Sequence, residues 1–574
     1  MPRPVFSLEH FRHRLAHNEA LPQMVVLGVL CGLVCGLVLG LFRLLLEYPL
    51  SQLLPGGDND NFEGLSPWLH FFLPVLGSLL LIAILSRVTP LNRKVGVAHL
   101  LERMAYHQSK LPLTNALIQF FAATAALLFG HSVGKEGPAI HLGAACGSQL
   151  GQRLNLPNNT LRILAGCGTA AGIAAMFNTP LAGVIFAMEV VLLEYSVIGF
   201  MPVIVSAATG ALVVQLMFGR ELVLTVPAMH IESLHEIPYI VFLGVMIGLL
   251  AVVFISLMRA TAKWADHSVL SYRSKLMLAG LATGCCAVFY PQVMGIGYDT
   301  VGAVLDGQLG IQLLIGILIS KCLLTPVVLA LGVPAGLIGP AIFIGAIGGG
   351  LLGILGAQAV DLNVAHSGFY ALLGMASMMG AVTNAPMAAL VATLELTGNP
   401  NIIFPAMISI VISNLIARYV FNLPSVFITS MRLQGLDYHY NPLNQILNRA
   451  AVRSLMLTDY VKSAPLISAQ GASNALSNNP SWILLEDADK FTLLSPGDLH
   501  HQVRTAESAD QDIDMLTIPG LRLDTARIDS RSTLQQALDC MKEQQVEALC
   551  ITNIRGQVIG LLTREQIEDF YRKN

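Results

Sequence analysis

Residues 130–146 read GHSVGKEGPAIHLGAAC, and long apolar segments lie on either side of this stretch. Glu136 stands between Lys135 and a glycine, and Pro138 opens a run of small and apolar residues. Proline is favoured in the first turn of a helix, where its missing N–H would have no intrahelical partner. The stretch therefore predicts a helix that starts at Pro138 inside a membrane, with free N–H groups and a dipole that favour an anion.

Glu136 is itself an anion tethered at this predicted helix start. An ionisable group at membrane depth is a functional candidate by default. The alternative is a glutamate at the end of a loop, paired with Lys135 at the membrane surface. We favour the functional interpretation because apolar segments flank the stretch on both sides.

The composition is that of a polytopic membrane protein. Hydrophobic residues make up 54% of the 574 residues and charged residues only 12%, whereas a soluble domain carries about 25% charged residues. The last 136 residues hold 30 of the 69 charged residues. We therefore expect a cytoplasmic N-terminal segment (1–23), a transmembrane domain (24–440) and a cytoplasmic soluble tail (441–574).

Charge and cysteine content argue against several other classes. The net charge of −3 gives no reason to expect a nucleic-acid partner. The nine cysteines form no CxxC pair, so we expect free thiols without a disulfide framework or a metal site. Arg3, Arg12 and Arg14 precede an apolar segment that is too long for a signal peptide. The positive-inside rule then places the N-terminus in the cytoplasm, and we expect a multi-pass protein of the plasma (inner) membrane.

Nine further apolar stretches are candidates to cross the membrane. They are residues 24–48, 67–88, 112–130, 161–177, 201–218, 237–258, 276–293, 311–331 and 402–421. In the first of them a glycine recurs at every fourth residue, at positions 28, 32, 36 and 40. Such a stripe places a flat face along one side of a helix, so we expect another helix to pack closely against it.

The chain contains an internal repeat. Residues 137–144 match residues 339–346 in six of eight positions, and NTPLA at 178–182 matches NAPMA at 384–388. In each copy a glutamate follows the asparagine by eleven residues, at Glu189 and Glu395. Duplicated halves with glycine- and proline-interrupted helices are typical of transport folds, which bind their substrate where the repeats meet. Backbone N–H groups there would bind an anion without a full positive charge, so the anion could also leave.

Residues 134–138 read GKEGP, and this motif resembles the GKEGP or GREGP signature of the CLC family of chloride channels and transporters. GLIGP at 336–340 stands where that family has GIFAP, and NTPLAGV at 178–184 fits a later helix start. The resemblance covers roughly residues 20–440 together with the tail. It implies an all-α polytopic membrane protein with an inverted repeat of two half-domains and broken helices. It also implies a homodimer in the lipid bilayer in which each subunit has its own path for chloride or another small anion.

The resemblance also implies roles for individual residues. Glu136 would be the gating glutamate, which occupies an anion position when ionised and leaves it when protonated. Lys135 would contribute positive potential, and the backbone at Gly137, Leu337 and Ile338 would contact chloride. Two helices would belong to the dimer interface, with the candidate residues Pro180, Leu181, Ile185, Pro386, Met387 and Leu390.

Two positions on the implied anion path depart from the family pattern. The family signature GSGIP is here KVGVA, so Val95 before Gly96 replaces the serine that contacts the central anion. The tyrosine that closes the inner side corresponds to Phe427. Both hydroxyl donors would be absent, which leaves backbone N–H groups for chloride.

A third departure concerns protons. Proton-coupled family members carry a pair of glutamates at the position where this chain has Glu189 and Val190. Glu194 lies five residues further, about 140° around a continuous helix from Glu189. We favour a gated chloride channel with Glu136 as its gate. The alternative is a proton-coupled chloride antiporter that uses Glu136 with Glu189, Glu194 or another proton route.

The tail resembles a pair of CBS motifs. In the second motif (521–574), 546–552 and 557–562 are predicted strands, and capping boxes are predicted at Ser532 with Gln535 and at Thr563 with Gln566. The first motif (455–515) is degenerate, with 480–485 as its one recognisable strand. Thr563 is a candidate contact for an adenine nucleotide, but Gln566 replaces the family's ribose-binding aspartate. We therefore expect a packing or dimer-stabilising module without a cofactor, and a solvated acidic loop at 506–514.

Two other classes of function were weighed against transport. An intramembrane enzyme could use Glu136, Glu189 and His141, but the sequence has no HExxH, GxSxG or clustered Cys/His motif. A sensory tail on a membrane anchor would not need a duplicated membrane domain. We therefore expect a transport protein that is not an enzyme.

Overall fold

The computed structural model of the chain describes residues 15, 20–57, 59–194, 197–219, 224, 229–231, 233–359, 367–436, 446–487, 490–505, 511–553 and 555–573. The chain divides into two compact units. One comprises Val25–Arg153 and Leu161–His439, and the other Met1–Met24, Leu154–Thr160 and Tyr440–Asn574. The predicted boundary after residue 440 and the three N-terminal arginines lie outside the described residues.

The larger unit is helical. Its helices are α1 (Leu21–Leu53), α2 (Pro67–Leu85), α3 (Gly96–Tyr106), α4 (Leu113–Leu128), α5 (Glu136–Arg153), α6 (Asn158–Phe177), α7 (Pro180–Phe186), α8 (Val197–Phe218), α9 (Ile237–His267), α10 (Tyr272–Phe289), α11 (Tyr298–Leu305), α12 (Ile311–Ala330), α13 (Ile338–Ala359), α14 (Ser367–Thr383), α15 (Pro386–Thr397), α16 (Ile403–Leu415) and α17 (Val426–Leu433). A π-helical turn follows α7 at Ala187–Leu192, and another follows α16 at Ile416–Val420.

Most of the predicted membrane-crossing stretches are confirmed. Among the described residues, eight helices are long and apolar enough to cross a membrane: Leu21–Leu53, Pro67–Leu85, Asn158–Phe177, Gly199–Phe218, Leu234–His267, Ile311–Ala330, Ile338–Gln358 and Pro400–Val420. The stretches predicted at 112–130 and 276–293 are also helical, as α4 and α10, but lie outside this set. The short helix α11 was not predicted from the sequence.

The glycine stripe of α1 packs against α8, as predicted. A Cβ atom added at Gly32 would lie 2.8 Å from Cβ of Thr209 and 3.1 Å from Cα of Ser206. A Cβ atom at Gly36 would lie 2.7 Å from Cβ of Val213. The absence of side chains on this face is therefore what allows the two backbones to approach each other.

The repeat is visible as two helix series in the same order. The helices α4 to α8 of the first series correspond to α12 to α16 of the second. In both series a glycine of the second helix packs directly against a glycine of the third, Gly143 against Gly168 and Gly345 against Gly374. A Cβ atom added at any of these glycines would overlap the carbonyl oxygen of the opposing glycine. The inverted-repeat architecture therefore depends on close backbone contacts that both halves preserve.

The smaller unit is α/β. Its elements are β1 (Tyr460–Ser463), β2 (Leu466–Ser468), α18 (Ala469–Leu476), β3 (Trp482–Asp487), β4 (Lys490–Leu494), α19 (Pro496–Thr505), β5 (Asp512–Asp514), β6 (Arg522–Asp529), α20 (Leu534–Gln544), β7 (Ala548–Thr552), β8 (Val558–Thr563) and α21 (Arg564–Lys573). Six strands form one sheet in the order β1-β3-β4-β6-β7-β8, and β2 pairs with β5. The pairs β1–β3 and β6–β7 are parallel, whereas β3–β4 and β7–β8 are antiparallel.

Three details of the predicted tail are corrected. The first motif is complete in its secondary structure, because β1, α18, β3, β4 and α19 repeat the order of β6, α20, β7, β8 and α21. The capping box before α20 consists of Thr533 and Gln536, one residue later than predicted, since the Thr533 hydroxyl accepts the Gln536 N–H. Part of the predicted acidic loop is strand β5, and residues 506–510 of that loop lie outside the described residues.

We expect Gly32→Ala to lower the free energy of unfolding by about 1–3 kcal/mol, because the new methyl group would overpack the contact between α1 and α8. Thermal unfolding of the purified protein in detergent would measure the change. Gly302→Ala is the matched control, since an added Cβ at Gly302 meets nothing within 4 Å. Equal stability of the two variants would contradict the close packing of α1 on α8.

Candidate functional site

The two halves of the repeat meet at a short backbone bridge. The N–H of Gly134 donates to the carbonyl of Gly336 at 2.7 Å, and the N–H of Gly336 donates to the carbonyl of Gly134 at 2.8 Å. The bridge is antiparallel. The helices α5 and α13 each begin two residues after it, so the bridge brings two equivalent helix N-termini together.

The first of these helices, α5, begins two residues earlier than predicted. The sequence predicted a start at Pro138, whereas α5 begins at Glu136 and Pro138 is its third residue. Proline is tolerated throughout the first turn, because the N–H groups there have no carbonyl one turn earlier to bind. The first backbone hydrogen bond of α5 to a carbonyl four residues earlier runs from the Ala139 N–H to Lys135. The equivalent bond of α13 runs from the Ala341 N–H to the carbonyl of Leu337. The N–H groups of the residues before each proline are therefore available to an anion.

The Glu136 carboxylate lies between two glycines at this junction. Only 5% of Glu136 is exposed, and its Oε1 accepts a hydrogen bond of 2.9 Å from the Tyr298 hydroxyl. A Cβ atom added at Gly339 would lie 2.6 and 2.7 Å from the two carboxylate oxygens, and one at Gly134 would overlap Oε2. Oε2 itself has no hydrogen-bond partner among the described residues. Gly339, which stands where the family motif has alanine, thus makes room for the carboxylate.

A cavity adjoins Glu136. Its lining residues come from both halves: Glu136, Ile140, Ile173, Phe177, Thr179, Ala182, Phe186, Tyr298, Ile338, Ile342, Met379, Ala392 and Leu396. Ile338 is the predicted anion-path residue that the structure brings to this cavity together with Glu136. The wall is mostly apolar, so an ion inside it depends on a few hydrogen-bond donors.

The other predicted anion-path residues do not line this cavity. Gly137 packs against Gly336, since a Cβ at Gly137 would lie 2.8 Å from the Gly336 Cα, and Leu337 is only 9% exposed. Lys135 is 9% exposed, and its Nζ lies 3.6 Å from Oε1 of Glu47. Glu47 therefore offsets much of the positive potential expected from Lys135.

The inner part of the predicted path is built by α3 and α17, which pack against each other. Val95 precedes α3 in an extended conformation and makes no side-chain cap, and Gly96 has a φ of +79°. Phe427 is the second residue of α17 and is 4% exposed. Neither Val95 nor Phe427 carries a hydroxyl, so neither side chain can donate a hydrogen bond to an anion.

Glu189 and Glu395 each cap the N-terminus of a helix in the other half of the repeat. The Glu189 carboxylate accepts hydrogen bonds from the N–H groups of Met387 (3.3 Å) and Ala388 (2.8 Å) at the start of α15. Glu395 accepts from Leu181 (3.1 Å) and Ala182 (2.7 Å) at the start of α7. Thr179, the N-cap residue of α7, makes no side-chain cap, so the Glu395 carboxylate takes that role. Carboxylates satisfy free N–H groups and complement the helix dipole more strongly than a hydroxyl does.

The predicted proton-path residues Glu189 and Glu194 lie in surroundings that the sequence did not predict. Glu189 is engaged by α15, and Val190 beside it is 8% exposed. The helical angle predicted between Glu189 and Glu194 is wrong, because a π turn ends at Leu192 and Leu193 has a φ of +54°. Glu194 then follows in a non-helical segment and is partly buried.

The predicted dimer-interface residues differ in their exposure. Leu181 is 46% and Met387 51% exposed, whereas Ile185 is 9% exposed and packs inside the chain. Pro180, Pro386 and Leu390 are partly buried. In the tail, the Gln566 side chain accepts hydrogen bonds from the N–H and the hydroxyl of Thr563. Thr563 is thus engaged by the residue that stands at the family's ribose-binding position.

His141, which the enzyme hypothesis would need beside Glu189, pairs instead with a second histidine. Nε2 of His141 lies 2.9 Å from Nδ1 of His99, and both rings are buried. His141 Nδ1 has no hydrogen-bond partner among the described residues. No group of three or more His, Cys, Asp or Glu side chains in the described part of the chain could hold a metal ion.

Tyr298 is the functional candidate that sequence reasoning missed. It is the first residue of α11 and follows Gly295 and Gly297, which have φ values of +54° and +83°. Glycines two residues apart before a single tyrosine in an apolar region are the signal that could have indicated a tight turn at this depth. Nothing in the sequence connects this turn to Glu136, 162 positions away.

A model of the voltage gated chloride channel family matches residues 77–418. A putative chloride channel protein ClcB-like from Ralstonia nicotianae is 28% identical over 371 residues, which cover 63% of this chain and 85% of that protein. The H(+)/Cl(-) exchange transporter ClcA of Vibrio cholerae is 27% identical over 300 residues, covering 51% of this chain and 64% of the transporter. The crystal structure of a slow cyanobacterial Cl−/H+ antiporter superimposes with a TM-score of 0.61 at 19% identity, covering 72% of this chain and 98% of that chain.

We expect Glu395→Gln to lower the free energy of unfolding by about 1–2 kcal/mol, because an amide replaces a charged acceptor at the start of α7. Glu189→Gln should have a similar effect through α15. Thermal unfolding in detergent would measure both changes. Asp266→Asn, which removes a charge at the exposed end of α9, is the control and should unfold as the wild type does. Wild-type stability of both glutamine variants would show that the two caps do not hold the halves together.

Proposed function

The chain belongs to the voltage gated chloride channel family, and on that premise we propose that it is a gated chloride channel with Glu136 as its gate. Chloride crosses unchanged, so the proposal includes no enzymatic reaction and no cofactor. The observation that carries it is the Glu136 carboxylate lodged between Gly134 and Gly339, where two helix N-termini meet. That carboxylate occupies a place suited to a free anion.

Gating follows from the charge of Glu136. The ionised carboxylate is attracted to the N-termini of α5 and α13 and keeps a chloride ion out of the same place. Protonation removes that charge, so the side chain leaves more easily and a chloride ion replaces it. Chloride flux should therefore rise as the pH falls.

The environment of position 190 favours a channel over an exchanger. Val190 cannot carry a proton, and Glu189 is engaged by the N–H groups of Met387 and Ala388. Protons that reach Glu136 from outside would then have neither residue 190 nor Glu189 as their next carrier. The relatives include both a protein named as a putative chloride channel and one named as an exchange transporter.

One observation favours proton-coupled chloride exchange as a second candidate. His99 and His141 form a buried hydrogen-bonded pair, with His99 on α3 after Gly96 and His141 on α5 after Glu136. Imidazole has one nitrogen that can accept a proton and one that can donate it. The pair would give protons an alternative to position 190.

We further propose a homodimer in the plasma (inner) membrane, with both termini in the cytoplasm. The exposed side chains of Leu181 and Met387 lie at the starts of the two capped helices α7 and α15, and a second subunit would cover them. In the tail, two helix–strand–strand–helix motifs share one sheet, which fits a CBS pair. We propose a packing role for this pair, since Gln566 engages Thr563 at the place expected for a nucleotide.

In proteoliposomes loaded with chloride, we expect chloride efflux without proton movement, followed by a chloride electrode and the external pH at the same time. Proton uptake against its gradient, driven by chloride efflux, would contradict the channel and support exchange. In that case His141→Gln should abolish proton uptake while chloride still moves, and Glu194→Gln serves as the comparison.

Glu136→Gln should give a steady chloride flux that no longer depends on pH, because the amide keeps the shape of the side chain but carries no charge. The same efflux assay at a series of pH values measures this. Asp266→Asn should keep the wild-type dependence. Unchanged pH dependence in Glu136→Gln would remove Glu136 from the gating mechanism.

Light scattering of the purified protein in detergent should report twice the 61.5 kDa of one chain. We expect the double substitution of Leu181 and Met387 by lysine to shift the mass towards one chain, because buried unpaired charges are costly at an apolar contact. A mass of one chain for the wild type would contradict the proposed dimer.

A further inference from the structure

We propose that Tyr298 supplies the side-chain hydroxyl of the anion site, donating to the Glu136 carboxylate when the gate is closed and to chloride when the gate is open. The inference rests on the proposed function, because it takes the Glu136 carboxylate as occupying the place of the permeating anion. Val95 and Phe427 on the predicted anion path carry no hydroxyl that could take this role.

The contact that suggests this role is direct. The Tyr298 hydroxyl lies 2.9 Å from Oε1 of Glu136, and Tyr298 is 8% exposed. A hydroxyl that donates to a carboxylate oxygen can also donate to a halide ion, since both are anionic hydrogen-bond acceptors. Hydrogen bonds to charged acceptors are stronger than those to neutral ones.

The wall of the cavity beside Glu136 has few other polar side chains that could donate a hydrogen bond to an anion. Of the thirteen residues that line it, Glu136, Thr179 and Tyr298 carry the polar side chains, and the others are apolar. An ion without enough donors in such surroundings is strongly destabilised. Tyr298 and Thr179 are the two side-chain hydroxyls on this wall, and Tyr298 is the one that contacts the carboxylate.

The turn that carries Tyr298 is firmly anchored. The ammonium group of Lys321, which is fully buried, donates to the carbonyls of Val293 (3.0 Å) and Gly295 (2.9 Å). At Gly297 an added Cβ would lie 2.6 Å from the Phe343 ring, so the backbone packs directly on that ring. A ligand on such a turn keeps its position when Glu136 leaves, which is what an anion site requires.

The test compares chloride binding by isothermal titration in two purified full-length variants, Glu136→Ala and Glu136→Ala/Tyr298→Phe. Removal of the carboxylate opens the site, and phenylalanine then removes only the hydroxyl. We expect the second variant to bind chloride about tenfold more weakly, because it loses one hydrogen bond to a charged group. Gel filtration and thermal unfolding would verify that both variants are folded.

Two controls in the Glu136→Ala background make the result specific. Tyr370→Phe removes another buried hydroxyl, which donates to Glu236 at 2.7 Å, and should leave chloride affinity within twofold. Thr179→Val removes the other hydroxyl of the cavity wall and should also have a smaller effect than Tyr298→Phe.

Equal affinities of the Glu136→Ala and Glu136→Ala/Tyr298→Phe variants would overturn the proposal, and would leave Tyr298 as a residue that holds the closed gate only. A larger loss in Thr179→Val would overturn it in favour of Thr179. Failure of the proposed function would look different, because Glu136→Ala with Tyr298 intact would then bind no chloride at all.

Discussion

The two backbone hydrogen bonds between Gly134 and Gly336 are the constraint on which the site depends. They fix the distance between the starts of α5 and α13, and therefore the space left for a carboxylate or a free anion. Only glycine can form this bridge, since a Cβ at Gly336 would lie 2.6 Å from the Gly137 nitrogen and one at Gly134 would lie 2.9 Å from Cδ of Pro340. The glycine contacts deeper in each half, such as Gly143 with Gly168, let the supporting helices come close enough to hold the two starts in place.

A second connection between the halves is electrostatic. Glu189 and Glu395 each satisfy two N–H groups at a helix start in the opposite half, so the starts of α7 and α15 depend on each other. The sequence repeat places these glutamates at equivalent positions, and the structure gives that equivalence a physical cause. The same contacts argue against Glu189 as a proton carrier. A carboxylate that lost its charge would weaken the start of the partner helix, so proton transfer through Glu189 would be coupled to the integrity of the fold.

The sequence predicted more of the membrane fold than of the candidate site. Hydropathy located most of the long helices, and the repeat placed Glu136 opposite residues 337–339, because these signals are local or come from duplication. The start of α5 was misplaced by two residues, since Pro138 is compatible with any position in the first turn. Tyr298 and the reciprocal caps could not be predicted, because each joins residues about 160 to 215 positions apart whose contact depends on tertiary packing. Helix α7 shows the same limit, since Thr179 is a good local candidate for its cap but the carboxylate of the distant Glu395 takes that place.

The balance of charges at the site suggests how an anion can bind there and still leave. Lys135 lies close to Glu136 in sequence, but Glu47 offsets its charge at 3.6 Å, so the site does not rest on a free cation. A full positive charge in apolar surroundings would hold chloride strongly and slow its release. Partial charges at two helix starts and one fixed hydroxyl attract an anion less strongly, and the Glu136 carboxylate can compete for the same donors. In the proposed channel, the gate and the permeating ion would therefore exchange between similar environments. The free-energy difference between the closed and open states would then be small enough for protonation of the Glu136 carboxyl group to decide between them.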